Sequence, residues 1–257
     1  MPTSRSYAIC LLAALLWAAP IACARADQRE DFLAGRVKQC AGCNLSGESF
    51  KRRDLSGADL TGANLRGANF HDARLVGAKL AGADLAEANL NKANLSRADL
   101  AGAKLNEAML YGAVLDAAQL AGADLTEALM GTARFLRAHL AKAVLRNADM
   151  RKTRLDGAVL SGADLSGAAL DEALLREAQL DGTVLAGVRL MGADLVGARL
   201  TAADLSDADA LRANLRGADL TGANLTEANL RQANLYEAKL DGATFRDTIM
   251  PDGTKQP

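Results

Sequence analysis

An all-β solenoid is the expected fold of this 257-residue chain, and three observations point to it. From Asn44 to Met250 the sequence repeats a five-residue unit of the form Ala-(Asp/Asn)-Leu-x-x, as in Ala58-Asp59-Leu60-Thr61-Gly62. The unit's central position falls on every multiple of five from Leu45 to Met250, 42 positions of which 34 are Leu, and the register never slips. Half of all residues are apolar but only 4% are aromatic. A core of Leu and Ala suits a narrow stack of like layers better than a globular interior.

The period of five excludes the common alternatives. Five residues advance an α-helix by about 500°, which displaces successive Leu residues by ~140° and leaves no apolar stripe. A continuous strand, with its period of two, would flip the Leu at each repeat. Within one unit, however, Ala two residues before the Leu lies on the same side of an extended segment. Ala holds that position in 35 of the 42 units. The remaining two residues, often Gly, must then turn the chain by a fixed angle, and short strand plus corner repeats into a coil with Ala and Leu inside.

Residues 1–26 read as a secretory signal peptide. Arg5 gives the positive start, Ala8 to Ala19 the apolar run, and Ala22-Cys23-Ala24 and Ala24-Arg25-Ala26 two small-x-small cleavage sites. The run is too short to span a bilayer, so no integral membrane span is expected after processing. Cleavage removes Arg5 and Arg25 and no acid. The 30 basic residues become 28 against 31 acidic ones, a net charge of −3. That balance speaks against a nucleic-acid partner. The expected location is periplasmic or secreted.

Residues 27–43 form a preamble. Phe32, Leu33 and Val37 lie near one face at helical spacing, so a short helix is expected to cap the open first coil. Cys40-Ala41-Gly42-Cys43 holds the only cysteines left after cleavage. In an oxidising compartment their default is a disulfide. A redox pair would want a strand–helix context that is missing here, and zinc would lack half its ligands. Cys43 also stands where later units place Ala, so it can begin the first coil as a small buried residue.

The 42 units in one register resemble the pentapeptide-repeat family, over about four fifths of the chain. Cys40-x-x-Cys43-Asn44-Leu45-Ser46-Gly47 resembles the opening of exported members. The resemblance implies a right-handed quadrilateral β-helix over residues 44–250 with four units per coil. That makes about ten coils, a rod roughly 50 Å long at ~4.8 Å per layer. Residues 251–257 are left as a C-terminal tail.

Twenty residues per coil sort the chain into four sides, numbered here by their first centres: 45, 50, 55 and 60. Of the eight centres that are not Leu, six (Phe50, Phe70, Met130, Met150, Ala210 and Met250) belong to the second side. Ala210 should leave a void, so a local bulge turning Leu211 inward is expected there. The first side carries ten acids and four bases outward, a net −6, an acidic wall for a basic partner. The fourth has Gly in the second corner position of eight of its ten units and should be smooth. Outward apolar residues Met109, Tyr111, Leu129 and Leu136 fall within little more than one coil and form the candidate partner surface.

Catalytic, cofactor and metal sites are not expected. His71 and His139 lie on different sides more than three coils apart, and the repeated Asp and Asn residues suit turn hydrogen bonding. The expected role is therefore a non-enzymatic scaffold in the periplasm or cell envelope, binding a protein or envelope component through one side of the rod. Some relatives implied by the resemblance mimic DNA and bind type II topoisomerases. The export signal, the near-neutral charge, an uninterrupted repeat and the lack of a C-terminal dimerising helix speak against that role. Unpaired strand edges recruit other chains, so an end-to-end homodimer is expected if Pro251 and the tail cap the last coil poorly.

Overall fold

The computed structural model describes residues 28–257, so the expected signal peptide lies outside the described residues. From Gln39 onward the chain winds as a β-helix in which each outward residue pairs in parallel with the one twenty positions on, from Gln39↔Asp59 to Asn229↔Ile249. Each circuit of twenty residues contains four corners and four bridges. The repeating hydrogen bonding thus reaches five residues before Asn44.

The five-residue unit accounts for all five of its backbone N–H groups. Around Leu65, the Asn64 N–H donates to Cys43 O (2.9 Å) and the Leu65 N–H to Asp84 O (2.7 Å), one coil to either side. The Gly67 N–H donates to Ala86 O (2.9 Å), and the Ala68 N–H closes the corner on Leu65 O (3.0 Å). The fifth, on Arg66, donates to Asn64 Oδ1 at 3.2 Å. The repeated Asp or Asn therefore satisfies a donor the coil itself leaves over. The second corner residue has φ near +60°, as at Gly62 (62°) and Glu107 (58°). Glycine enters that region freely, whereas other residues cost about 1–2 kcal/mol there.

Inside, Leu centres and their Ala partners are buried along nearly the whole rod. Thr153, Thr183 and Thr248 replace Ala and stay buried because their hydroxyls donate to the carbonyls of Met150 (2.7 Å), Leu160 (3.1 Å) and Leu225 (2.5 Å). Phe50 stacks on Phe70 with ring centroids 5.0 Å apart.

The bulge expected at Ala210 is absent. The Leu190 N–H reaches Asp209 O at 2.7 Å and the Ala210 N–H reaches Asn229 O at 2.9 Å, so the ladder runs straight through. Ala210 is buried, while Leu211 stays on the outer corner, its N–H on Asp209 Oδ1 at 3.3 Å. Turning Leu211 inward would break several inter-coil hydrogen bonds to fill one small void, and the hydrogen bonds win.

The two ends differ. At the start, helix α1 (28–33) lays Phe32 edge-on against Phe50, centroids 5.8 Å apart, with Phe32 fully buried. Arg53 occupies an Ala position, and its guanidinium sits 5.4 Å from the Phe32 ring centre and 5.7 Å from that of Phe50. It donates to the carbonyls of Leu33 (3.0 Å) and Phe32, the terminal acceptors of α1. At the far end, Lys255 bridges antiparallel to Ile249 and the Met250 N–H donates to Thr254 O (2.8 Å). That return covers one side only. Leu235, Leu240 and Phe245 remain partly exposed, and among the described residues their N–H groups find no backbone acceptor.

Candidate protein-interaction surfaces

The interior is filled, so any binding must use the outside. Among the described residues no group of three or more His, Cys, Asp or Glu side chains could hold a metal ion. No described helix is long and apolar enough to cross a membrane.

Cys40 and Cys43 are joined in a disulfide. Cys40 takes a centre position, its N–H on Asp59 O at 2.7 Å, and Cys43 takes the following Ala position. Both side chains are buried, which leaves an exchanging thiolate no approach to the sulfurs.

Much of the acidic first side is structural. Asp84, Asp124, Asp164 and Asp204 each accept a corner N–H through Oδ1. Arg66 pairs with Glu87, Arg146 with Asp164 (2.5 Å) and Lys255 with Asp247 (2.8 Å). The wall is therefore less available to a basic partner than its charge count indicates.

Hydrogen bonding holds several of the rod's corner carboxyls, on this side and others, below the ordinary range. For Asp54, Asp59 and Asp219 the largest cause is the hydroxyl of Ser56, Thr61 or Thr221, followed by the same residue's backbone N–H. At Asp164 burial pushes upward, but Ser166 and Arg146 outweigh it. A lowered native pKa stabilises the fold at pH above the unfolded value, about 3.9. That contribution is lost as the pH falls through the native values. Thermal stability is expected to be flat from neutral pH to about 5 and to fall below 4; an acid-insensitive melting temperature down to pH 2 would contradict it.

The expected apolar patch divides between two sides. Met109 and Leu129 are bridge partners on the second side. Tyr111, 56% exposed, lies at the next corner with its ring over Gly131, where a Cβ would come within 3.4 Å. Leu129 is 50% exposed, and Met109 is half-buried. Leu136 belongs elsewhere. It lines a groove of about 890 Å³ on the third side, its N–H on Asp116 Oδ1 at 3.2 Å.

That groove runs along the rod from Val76 to Arg176 and combines apolar Val76, Leu136 and Leu174 with Arg97, Arg137, Arg154 and Arg176. Counting outward apolar residues and charges separately along the sequence hides it, because the third side as a whole is nearly neutral. The signal is their interleaving within six successive coils.

A family model described as pentapeptide repeats matches the chain in eight copies, from residues 39–72 to 212–250. Among solved structures, HetL from the cyanobacterium Nostoc sp. strain PCC 7120, described as a pentapeptide repeat protein involved in heterocyst differentiation regulation, is 36% identical. The match covers 88% of this chain and 97% of HetL, with a TM-score of 0.64. Rfr23 from the cyanobacterium Cyanothece 51142 is 36% identical over 37% of this chain and 65% of its own, TM-score 0.36. QnrB1, described as a plasmid-mediated fluoroquinolone resistance protein, is 21% identical over 76% and 88%, TM-score 0.46. No curated protein matches the chain.

Proposed function

The chain belongs to the pentapeptide-repeat family, and on that premise we propose that it is an exported, non-enzymatic scaffold that binds a protein or envelope component through one side of its rod. The observation that carries this reading is the filled interior: Leu, Phe, Met and Ala, with Thr153, Thr183 and Val188, close the layers from Leu45 to Leu230, so the working surface is the outside of the rod. A right-handed rod of about ten coils, closed at its start by α1, presents its sides in parallel ladders. Export to the periplasm or beyond rests on Arg5, the Ala8 to Ala19 run and the two cleavage sites. The disulfide of Cys40 and Cys43 suits an oxidising compartment.

Fractionating cells that express the tagged full chain, then crosslinking and pulling down from the exported fraction, tests both parts. The expected result is a chain cleaved after Ala24 or Ala26 that retains a specific partner. An uncleaved cytoplasmic chain would overturn export, and an exported chain retaining nothing would overturn the scaffold.

The open final coil adds an assembly. Partly exposed Leu235, Leu240 and Phe245, whose N–H groups have no backbone acceptor among the described residues, form an edge that a second copy can cover end to end. Light scattering is expected to give twice the mass of the processed chain, with Leu240→Asp shifting it to the single-chain mass; a concentration-independent monomer of the unaltered chain excludes the assembly.

A further inference from the structure

We propose that the groove on the third side is a docking site for an extended acidic segment of a partner protein. This deepens the scaffold reading by naming the surface and the chemistry it recognises, and it rests on that reading.

The groove is built from corner residues that stack coil upon coil. Arg97, Ala117 and Arg137 occupy the same corner position in three successive coils. At ~4.8 Å per coil the two arginines stand about 10 Å apart with a small residue between them. Three residues of a chain in the extended polyproline II form, with three residues per turn and ~3.1 Å rise, cover the same span and bring side chains three apart to one face. Carboxylates three residues apart therefore meet Arg97 and Arg137, and the side chains between them fall over Ala117 and the neighbouring Leu136.

Charge separates these two arginines from the others nearby. Arg134 pairs with Asp116, Arg154 with Asp156 at 3.8 Å, and Arg176 with Asp194 at 2.6 Å. Arg97 and Arg137 have no carboxylate within 4 Å among the described residues. Four arginines and two aspartates line the groove, a local surplus of +2 on a chain that is otherwise slightly acidic. A guanidinium accepts a carboxylate in a two-pronged, charge-assisted pair, which favours an acidic segment over a neutral one. The length fits as well. Val76 to Arg176 is five coil steps, ~24 Å, the reach of about seven extended residues.

Nothing in the fold requires arginine at these corners. Both residues lie in the left-handed region, φ 58° at Arg97 and 55° at Arg137, where many other corners of the rod carry Gly. The double variant Arg97→Gly/Arg137→Gly therefore removes the charges and keeps the coil, and its melting temperature is expected to be unchanged or higher.

The test is a fluorescence-anisotropy titration of the exported full chain with a labelled synthetic decapeptide built on the repeat Asp-Thr-Leu. Saturable binding is expected, weakened at least tenfold in the double variant and several-fold by 0.5 M salt. It should be unaffected by Lys92→Gly/Lys152→Gly, which removes two cations from the second side. A decapeptide built on Lys-Thr-Leu should not bind. No saturable binding of the acidic peptide, or equal affinity in the double variant, overturns the assignment. So does tighter binding of a ten-nucleotide single-stranded DNA that the same two arginines control.

The pull-down separates the two readings. A partner retained equally by the double variant sinks the groove and leaves the scaffold standing. If the unaltered chain retains no partner while the peptide binds through Arg97 and Arg137, the scaffold reading falls and takes with it the assignment of the groove to a partner protein.

Discussion

Phe50→Ala is expected to cost about 3–5 kcal/mol, toward the upper end of that range for a buried ring. Phe50 is 1% exposed and works in both directions along the rod, edge-on to Phe32 of the cap and stacked on Phe70 of the next coil. Each aromatic pair adds roughly 0.5–1.5 kcal/mol beyond burial. Arg53 also loses one of the two rings beneath its guanidinium while keeping its bonds to the end of α1. Each coil touches only its neighbours, so the loss should appear first as opening of the cap and first coils. Guanidinium chloride unfolding together with protease cleavage near α1 measures both effects. A loss under about 1 kcal/mol would show that the rings do not fasten the cap.

Ala210→Leu should act in the opposite direction. Ala210 is the one small residue among the centres, buried between Leu190 and Leu230 in its column. The backbone around it keeps the same hydrogen bonding as its neighbouring units, so the site has not visibly collapsed. Three added carbons at ~0.8 kcal/mol each give a gain of about 2 kcal/mol. Equilibrium unfolding should show a higher midpoint with an unchanged denaturant slope. A lower midpoint would mean that the neighbours already occupy the space and that Leu overpacks it.

The Ala210 site shows where reading by pattern fails. Sequence alone argues from side chains, and by that measure a missing Leu calls for a replacement from Leu211. In the folded rod each unit holds its neighbours through several backbone hydrogen bonds, and together they outweigh the filling of one small void. The coil itself was readable because a period of five leaves neither a helix stripe nor a continuous strand. The number of units per coil was not readable from the period. It came from the family resemblance, and the twenty-residue offset of the bridges supplies it structurally.

The part played by Arg53 is hidden from pattern for a related reason. Cys43, Glu48 and Arg53 are three successive departures from the Ala position, and they occur only in the coil that faces α1 instead of another coil. That run of departures was the available signal for the cap's fastening. The repeated Asp and Asn residues suit turn hydrogen bonding by type alone, but their particular acceptor role emerges only from the full set of N–H groups in the unit. The candidate apolar cluster spans two adjacent sides already in the twenty-residue map, Met109, Tyr111 and Leu129 on the second and Leu136 on the third; what the map lacks is the groove that joins Leu136 to the third-side arginines.

Binding through one side of the rod is tested most directly by photocrosslinking in the exported fraction. A benzophenone side chain is placed in turn at Lys92, Glu107, Ala117 and Ala121, positions on the corners of four different sides within two coils. A partner adduct is expected from Ala117, inside the groove, and from none of the other three. Adducts from all four positions alike, or from any side but the third, would contradict one-sided binding there.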